Sequence, residues 1–330
     1  MSLSAGATAG YAILGSFGAY ALTSIVLLNF PTILHRKKKR NFYCSHISHR
    51  GGAAERLENT MSAFKNAVES GCQMIELDVH LTKDKVVVVS HDENLKRCCD
   101  MDEKISDLNF KELPKLKDTL QAVFYNNQTC HNFGEKQHIP SLEEVFEQFP
   151  ETPINVDVKD DDNVLIAETD KLIKKYKREN LTVWCNFRDV VVDKLQKFNP
   201  EVPVAFSMKR VALLYVWFYT GLLPFIPLKE SFLEIPHPNC LNRINFALTA
   251  NQKRLVSIGS YFARSRILIN HLKARGIPTY FWVLNEEEDF KAAFELGAEG
   301  VMTDCPTKLS AWLDENPQYW IGRRNENEID

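Results

Sequence analysis

Residues 75–91 read IELDVHLTKDKVVVVSH, and the fold prediction starts from the alternation at the beginning of this stretch. Apolar and polar side chains alternate from Ile75 to His80, which is the pattern of a β-strand. Glu76 and Asp78 therefore share one face, where two carboxylates repel each other unless one is protonated or a cation joins them. Oxygen ligands of this kind suit Mg²⁺ or Ca²⁺. The alternative is a half-exposed strand whose acidic side chains are simply solvated.

The chain reverses direction soon after this strand. A polar turn of four residues, Thr82–Lys85, leads into a run of valines that ends at His91. Four residues are too few for a helical crossover between parallel strands. We therefore expect Val86–His91 to be an antiparallel hairpin arm, with a barrel strand as the alternative.

Polar side chains recur at the ends of other predicted strands. Ile154–Lys159 alternates in the same way and places Asp157 on the polar face. Tyr43–Ser48 leads directly into His49. Strands that alternate with helices indicate parallel pairing, and a (β/α)₈ barrel carries its catalytic groups at the C-terminal ends of its strands. The sequence therefore predicts an α/β protein of the (β/α)₈ TIM-barrel class. The eight predicted strands are Tyr43–Ser48, Ile75–His80, Ile154–Lys159, Leu181–Asn186, Val204–Ser207, Phe232–Pro236, Thr279–Leu284 and Gly300–Thr303.

The composition is that of a globular protein with room for one large domain. The 330 residues are 45% hydrophobic and 25% charged, with a formal net charge of −3. A barrel of about 250 residues with additions fits this length, and the charge gives no sign of a nucleic-acid partner. The eight cysteines include no CxxC pair, which favours free thiols in a reducing compartment.

The N-terminal segment is predicted to anchor the chain in a membrane. Residues 1–34 contain no Asp, Glu, Lys, Arg or His, and residues 9–28 supply the roughly 20 apolar positions that a membrane helix needs. The basic cluster His35–Arg40 follows, so the positive-inside rule places the rest of the chain in the cytosol, and the cluster would attract anionic lipid headgroups. A cleaved signal peptide, which would carry its basic residues first, and a buried core helix are the alternatives. We assign residues 1–40 to the anchor.

A second uncharged run, Val211–Leu228, is also long enough to cross a membrane. A second crossing would divide the barrel between two sides of the bilayer and leave sheet edges unpaired. Pro224 and Pro227 favour a bent segment. We therefore expect residues 209–231 to be an insertion that dips into the cytosolic leaflet beside the barrel mouth.

The remaining boundaries follow from these assignments. The barrel is predicted to occupy residues 41–316. Residues 92–137 are polar and lack clear periodicity, so we expect an irregular insertion over the barrel mouth. Residues 317–330 are predicted to form a charged, frayed tail.

Short motifs, in order from residue 49 to residue 304, resemble those of the glycerophosphodiester phosphodiesterase family. They are His49-Arg50-Gly51, Glu58-Asn59-Thr60, Glu76-Leu77-Asp78, His91-Asp92, Asp157-Val158-Lys159, Trp282-Val283-Leu284-Asn285 and Thr303-Asp304. The N-terminal helix, the basic cluster and the apolar insertion resemble the membrane-anchored mammalian members, which are similar to lysophospholipase D enzymes.

The resemblance implies a role for each matched site residue. The implied metal ligands are Glu76, Asp78 and Asp157, the implied acid–base pair is His49 and His91, and the implied substrate contacts are Arg50, Lys159, Trp282 and Asn59. His91 is alternatively a metal ligand, and Trp282 is alternatively a core residue. Asp157 departs from the family's common Glu and is one methylene shorter. His46 and His80 are interpreted as structural.

The resemblance also implies a function. It indicates a phosphodiesterase that depends on Ca²⁺ or Mg²⁺ and cleaves lysophosphatidylcholine or N-acyl lysophosphatidylethanolamine, releasing lysophosphatidic acid or N-acylethanolamine, at the endoplasmic reticulum or perinuclear membrane. A hydrolase of soluble glycerophosphodiesters that forms glycerol 3-phosphate, and a catalytically inactive lipid-binding scaffold, are the alternatives. We expect the free glycerol hydroxyl to attack first and form a cyclic phosphate, with direct water attack as the alternative. The sequence indicates no oligomeric state.

Overall fold

The fold is built on a parallel sheet that curls into a barrel. The computed structural model describes residues 5–125, 127–238 and 263–321. Its strands in chain order are β1 (His46–Ser48), β2 (Met74–Leu81), β3 (Val87–Val89), β4 (Thr119–Ala122), β5 (Gln128–His131), β6 (Ile154–Val158), β7 (Thr182–Cys185), β8 (Leu233–Pro236), β9 (Thr279–Trp282) and β10 (Gly300–Thr303). The main sheet has the order β7-β6-β2-β1-β10-β9-β8, and its neighbours all pair in parallel.

Two backbone bridges join the ends of this sheet. Trp184 of β7 pairs in parallel with Val204, and Ala205 pairs in parallel with Phe232 beside β8. Ala205 N donates to Trp184 O at 2.9 Å, and Phe206 N donates to Phe232 O at 3.1 Å. The bridging segment takes the place of the remaining strand. The TIM-barrel prediction is therefore confirmed, with a parallel segment at each of the eight predicted positions.

The hairpin arm is also confirmed. β3 pairs with β2 in antiparallel fashion, with Val79 opposite Val89 and Leu81 opposite Val87. The arm is shorter than predicted and ends before His91. Because β3 runs antiparallel to β2 and lies off the path of the parallel strands, it adds to the barrel wall without being one of its parallel strands.

Most helices follow barrel strands and pack their apolar faces on them, whereas α1 precedes the barrel and α3 lies in the insertion. They are α1 (Ala5–Asn29), α2 (Met61–Glu69), α3 (Lys96–Cys99), α4 (Leu142–Gln148), α5 (Asn163–Lys175), α6 (Asp189–Phe198), α7 (Met208–Tyr219), α8 (Arg266–Ala274), α9 (Glu287–Leu296) and α10 (Pro306–Glu315). Side-chain caps mark several of the starts: Thr60 caps α2, Ser141 caps α4 and Ser207 caps α7. These caps hold the loops that leave the C-terminal ends of the strands.

Residues 92–137 are more regular than predicted. They contain α3 and an antiparallel hairpin of β4 and β5, so the expectation of an irregular insertion is wrong for this part. A small apolar cluster that includes Leu95, Ile105, Leu116 and Leu120 packs beneath them against Val88 of the arm. β4 and β5 have only four residues each, which is too short for alternation to identify them. The hairpin turn brings Phe124 to the barrel mouth.

α1 is apolar along its length and little of it is covered by protein. Gly10–Asn29 is the one helix within the described ranges that is long and apolar enough to cross a membrane, with a mean hydropathy of 1.7 and 11% of it buried. Ile13 and Phe17 are 69% and 70% exposed. The segment predicted to be an anchor therefore forms a continuous helix with an uncovered apolar surface, which is compatible with membrane anchoring.

The apolar insertion is bent, as predicted, and packs on α1. α7 is followed by a short 3₁₀ helix, Leu223–Phe225. Tyr20 Oη donates to Thr220 O and Ser24 Oγ donates to Gly221 O, each at 2.7 Å. The two apolar segments of the chain are thus joined by hydrogen bonds at their point of contact.

The basic cluster is divided between the barrel and its surroundings. Lys38 donates to a backbone carbonyl at 2.8 Å, and Arg40 forms an ion pair. Arg36, Lys37 and Lys39 are exposed. Alternate members of the cluster therefore hold the chain to the barrel and leave the other charges outward.

The start of the predicted tail is packed. Tyr319 stacks on Trp312 with ring centroids 5.6 Å apart, and Trp320 is buried. The frayed tail is therefore not observed at residues 319–321, and residues 322–330 lie outside the described residues.

Candidate active site

One cavity lies at the C-terminal ends of the barrel strands and combines a charged wall with an apolar wall. Its volume is about 580 Å³, within the usual range for small-molecule sites. The structure brings eight of the nine predicted site residues to this cavity, and Asn59 is the exception. The charged wall also includes Asn155 and Glu234. The apolar wall includes Phe124, Phe187, Phe206, Met208, Val211 and Trp282.

The predicted metal ligands lie on two adjacent strands. β2 and β6 pair so that Asp78 stands opposite Asp157. Lys159 Nζ lies 2.6 Å from Asp78 Oδ1 and 2.5 Å from Asp157 Oδ2. Glu76 Oε2 accepts a hydrogen bond from Arg50 N at 2.8 Å. The acidic face predicted for β2 therefore points into the cavity.

Burial and neighbouring charges shift the pKa values of the three carboxyls in different directions. Burial raises the pKa of Glu76 well above its usual value, and repulsion from Asp78 adds to this. Burial also raises the pKa of Asp157. For Asp78 burial opposes ionisation, but Lys159 and Arg50 outweigh it and lower its pKa. Asp78 thus remains ionised, whereas a further cation would stabilise the ionised forms of Glu76 and Asp157.

The donor set fits a divalent cation in its chemistry. No group of three His, Cys, Asp or Glu within the described residues has a ready metal-binding arrangement, and the Lys159 ammonium lies between Asp78 and Asp157. Carboxylate oxygens are nevertheless the ligands that Mg²⁺ and Ca²⁺ prefer. Asp157 Oδ1 is buried without a hydrogen-bond partner, which is costly unless a ligand occupies it. Glu76, Asp78 and Asp157 are therefore the residues that could hold a cation here.

The loop after β1 turns in left-handed conformations. Arg50, Gly51 and Gly52 have φ angles of 50°, 79° and 98°. A Cβ at Gly51 would lie 2.7 Å from Phe64, and one at Gly52 would lie 2.6 Å from Pro306. Glycine is therefore required at both positions, for its φ and for the close approach. The turn directs the side chain of Arg50 towards β2.

Arg50 is a buried, fixed cation on the charged wall. Its Nη1 lies 3.2 Å from Glu58 Oε1, and its Nε lies 3.5 Å from Asp78 Oδ2. Burial opposes its charge, but Glu58 and Asp78 outweigh this and raise the pKa of Arg50. A planar guanidinium held in this way is suited to bind phosphate oxygens.

His49 is oriented by Asp304. Its Nδ1 donates to Asp304 Oδ1 at 2.7 Å, and Asn285 Oδ1 accepts from Asp304 N at 2.8 Å. Because a carboxylate only accepts, Nδ1 carries a proton, and Nε2 of the neutral ring is an acceptor. Phe124 packs edge-on against the ring, with centroids 5.4 Å apart. His49 can therefore take up a proton at Nε2 while its ring stays fixed.

His91 has a similar partner outside the barrel ring. Its Nδ1 donates to Asp92 Oδ1 at 2.6 Å. Arg97 Nε donates to Asp92 Oδ2 at 2.5 Å, and Arg97 Nη2 donates to Glu58 Oε1 at 2.6 Å. Arg97 of the insertion thus connects Asp92, the partner of His91, to Glu58, which also pairs with Arg50. Burial opposes ionisation of Glu58, but Arg50 and Arg97 outweigh it and lower its pKa.

Asn59 and Trp282 occupy different surroundings. Asn59 Nδ2 donates to Asp78 Oδ2 at 2.9 Å, so Asn59 contacts a carboxylate and does not reach the cavity. Trp282 faces the cavity, and its ring lies 6.0 Å from Phe187 and 6.4 Å from Phe124. The position of Trp282 agrees with substrate contact and disagrees with a wholly buried core role.

His46 and His80 support the structure around the site. Burial lowers the pKa of His46 to about 3, so this ring is neutral in the core. His80 contacts Asp160 Oδ2 at 2.7 Å through Nδ1 and the backbone oxygen of His91 at 3.2 Å through Nε2. His80 therefore helps to place His91.

Sequence reasoning missed several residues of the site. Glu234 lines the cavity, and Asn155 Nδ2 donates to its Oε2 at 2.7 Å. Its position between Leu233 and Ile235 in a predicted strand was an available signal, because alternation places it on the opposite face from both. Arg97 and Phe124 lie in the insertion, where no periodicity indicated their direction.

Comparison with known proteins agrees with the geometry. The model of the glycerophosphoryl diester phosphodiesterase family matches residues 49–308. Lysophospholipase D GDPD1 of Homo sapiens is 49% identical over 93% of this chain and 98% of its own length. Lysophospholipase D GDPD3 of Homo sapiens is 39% identical over 93% of this chain and 96% of its own length.

Solved structures show the same fold. The glycerophosphodiester phosphodiesterase of Thermotoga maritima has a TM-score of 0.55 and 24% identity, covering 82% of this chain and 98% of that one. A phosphodiesterase of Oleispira antarctica, solved with the product sn-glycerol-3-phosphate, has a TM-score of 0.56 and 21% identity, covering 83% and 98%.

Proposed function

The chain belongs to the glycerophosphoryl diester phosphodiesterase family, and from this premise we propose that it is a lysophospholipase D. The substrate is a lysophospholipid such as lysophosphatidylcholine, which is cleaved to lysophosphatidic acid and choline, or an N-acyl lysophosphatidylethanolamine, which releases an N-acylethanolamine. The carrying observation is the single cavity in which Arg50, Lys159 and two oriented histidines face an apolar wall. The name of the relative that is 49% identical supports the same choice.

Arg50 and Lys159 bind the phosphodiester. Arg50 is buried and Lys159 is partly buried on the charged wall. The negative charge that builds on the phosphate oxygens during cleavage is stabilised by cations already in place. Asp78 and Asp157 hold the Lys159 ammonium at the wall of the cavity. Trp282 packs against the glycerol carbons from the opposite wall.

Glu76, Asp78 and Asp157 would hold a divalent cation, Mg²⁺ or Ca²⁺, with His91 as an alternative ligand. When bound, such a cation supplies Lewis-acid stabilisation of charge on the phosphate oxygens. Asn59 orients Asp78 through its amide hydrogen bond. Arg50 N fixes Glu76 in the same way.

His49 and His91 form the acid–base pair. One ring removes the proton from the free glycerol hydroxyl as that oxygen bonds to phosphorus, and the other gives a proton to the departing alcohol oxygen as its bond to phosphorus breaks. The cyclic phosphate that results is opened by water with the two roles exchanged. Asp304 and Asp92 stabilise each ring when it is charged.

The cyclic intermediate is testable directly. Quenched reactions of the purified protein with lysophosphatidylcholine should contain cyclic lysophosphatidic acid by phosphorus NMR. In ¹⁸O water, the oxygen should enter only during opening of the ring. Formation of lysophosphatidic acid with no cyclic species, and with ¹⁸O incorporated during choline release, would establish direct water attack.

The chain is anchored by α1 in the endoplasmic reticulum or perinuclear membrane, with the barrel in the cytosol. Two observations support this placement, the apolar surface of α1 and the outward charges of Arg36, Lys37 and Lys39. The insertion of residues 209–231 enters the same leaflet. A glycosylation tag placed after Leu228 should stay unmodified in cells, and its modification would contradict this topology.

Choline release tests the function itself. The full chain in nanodiscs should release choline from lysophosphatidylcholine faster than from glycerophosphocholine, EDTA should abolish release, and added Mg²⁺ or Ca²⁺ should restore it. The reverse substrate preference would favour the soluble glycerophosphodiester hydrolase. Release that persists in His49→Ala would contradict the acid–base assignment, and no release by the wild type would favour the inactive scaffold.

A further inference from the structure

Within the described residues, the apolar wall of the cavity reaches the protein surface at Phe187 and Met208. Phe187 and Met208 both line the cavity, yet they are 52% and 66% exposed. Met208 N donates to Phe187 O at 3.1 Å, so these two residues form one apolar rim. The apolar part of a ligand bound in the cavity would therefore extend out of the cavity at this rim.

From the rim an uncharged stripe continues along α7. The exposed apolar residues Met208, Ala212, Val216 and Tyr219 are spaced four, four and three apart, which places them on one face of the helix. At a rise of about 1.5 Å per residue, this stripe is roughly 17 Å long. The opposite face of the helix, with Leu214 at its centre, is buried against the barrel.

The charges at the start of α7 are held away from the stripe. Lys209 donates to Asp189 at 3.0 Å, and Arg210 donates to Glu230 at 2.5 Å. These four groups therefore neutralise one another in pairs. The stripe itself is uncharged and consists of a thioether side chain, two aliphatic side chains and a tyrosine ring.

The far end of the stripe meets the candidate membrane helix. Thr220 and Gly221 follow Tyr219 directly, and they accept the hydrogen bonds of Tyr20 and Ser24 of α1. The stripe therefore runs from the cavity that holds the phosphate-binding cations to the apolar surface of α1. A ligand that fits both ends carries a phosphodiester at one end and a hydrocarbon chain at the other.

We propose that this stripe, with Phe187 at the rim, binds the acyl chain of the lysophospholipid substrate. The inference rests on the proposed function and adds where the chain of the substrate lies. The phosphate and glycerol occupy the cavity, and the acyl chain follows α7 towards α1.

The test compares chain lengths in variants of the stripe. Full-length wild type, Met208→Gln and Val216→Gln are assayed in nanodiscs for choline release from hexanoyl, decanoyl and palmitoyl lysophosphatidylcholine and from glycerophosphocholine, with the shorter lysolipids kept below their critical micelle concentrations. Val164→Gln is the matched control, because Val164 is 40% exposed on α5 and lies outside the stripe. The readout is kcat/KM for each lysolipid divided by kcat/KM for glycerophosphocholine.

We expect this ratio to fall about fivefold, equivalent to about 1 kcal/mol, in both stripe variants with the palmitoyl substrate. With the hexanoyl substrate only Met208→Gln should lower this ratio, because Val216 lies about two turns further along the helix.

Ratios equal to those of Val164→Gln at every chain length would overturn the proposal. A loss seen in nanodiscs with palmitoyl substrate and absent for the decanoyl monomer would also overturn it, since the stripe would then contact only bilayer lipid. Wild type that releases choline from no lysolipid contradicts the proposed function itself.

Discussion

Glu58 is buried between two arginines, and this arrangement joins two parts of the site that are distant in sequence. Arg50 follows the first barrel strand, and Arg97 comes from the insertion over the mouth. Removing one partner of a buried ion pair leaves the other charge uncompensated, and this costs more than losing the attraction alone. The surroundings of Arg50 and of His91 are therefore coupled through this carboxylate.

Arg97→Ala should lower kcat about ten- to hundredfold, the usual cost of removing a partner that orients a site group, with a smaller change in KM. The reason is that Asp92 loses the guanidinium that holds it against His91. Arg97→Lys should rescue little, because an ammonium cannot bridge Asp92 and Glu58 as a planar fork does. Lys104→Ala removes an exposed pair with Glu93 in the same insertion and is the control. A loss confined to KM would contradict an orienting role.

Glu234 should make stability depend on pH. Burial raises its pKa to about 7, although its hydrogen bond with Asn155 lowers it, and the charge of Asp157 raises it further. Between pH 4.5, its ordinary pKa, and about pH 7, the folded state holds more protons at this site than the unfolded state. Its contribution to the free energy of unfolding therefore falls as pH rises through this window.

Glu234→Gln removes this titration. Measured by urea unfolding in EDTA, the unfolding free energy of the variant minus that of the wild type should increase by about 2 kcal/mol from pH 4.5 to pH 7. This is less than the full shift at 1.36 kcal/mol per pKa unit, because the side chain faces a cavity that admits water. Glu168→Gln, on the outside of α5, should show no such trend. A difference independent of pH would show that Glu234 titrates normally.

At the scale of elements, the sequence predicted the barrel strands better than the insertion. Alternation in Ile75–His80 and Ile154–Lys159 was long enough to identify β2 and β6. The four-residue strands β4 and β5 were too short for the same signal, and their pairing depends on an apolar cluster with Val88 of the arm. The contact between α1 and the bend after α7 was also not predictable, since it joins residues about 200 apart through side-chain bonds to backbone carbonyls.

The docking of the apolar insertion on α1 should be sensitive to Gly221. This residue has φ +74°, and an added Cβ would lie 2.9 Å from Ser24 Oγ. Gly221→Ala should therefore lower the unfolding free energy in detergent by more than the about 1–2 kcal/mol expected for the left-handed conformation alone. It should also make the segment after α7 more accessible to proteolysis.

Gly134→Ala is the matched control for this prediction. Gly134 has φ +95° with nothing within 4 Å of an added Cβ, so it reports the backbone cost without a clash. Equal losses of stability in the two variants would mean that the contact with Ser24 adds nothing.

For the whole molecule, cation binding should stabilise the fold. A ligand present at about a hundred times its Kd adds about 2.7 kcal/mol to the free energy of unfolding. The melting temperature should rise when Mg²⁺ or Ca²⁺ replaces EDTA, because the cation offsets the cost of burying the ionised carboxylates of Glu76 and Asp157. Asp157→Asn should lose this rise, whereas Asp161→Asn, which removes an exposed pair with Lys194, should keep it. The same rise in both variants would place the cation elsewhere.

The candidate site was predictable to the extent that its residues lie at the ends of strands. His49, Glu76, Asp78, Asp157 and Lys159 follow from alternation and from the family's motifs. Arg97 did not, because its contacts cross from the insertion to other elements. Glu234 was missed although its place between Leu233 and Ile235 in a predicted strand indicated the face on which it lies. Asp304 appeared in a motif, but its bond to His49 joins the last barrel strand to the first, which only ring closure brings together.

In the proposed membrane-anchored arrangement, the hydrogen bonds of Tyr20 and Ser24 set how close the cavity is held to the bilayer. An enzyme tethered at this distance binds substrate molecules that diffuse within the plane of the membrane. Its rate then depends on the mole fraction of lysolipid in the leaflet, and bulk concentration matters little. Diluting the substrate with inert phospholipid, at constant total amount, should slow the wild type, which is the behaviour known as surface dilution.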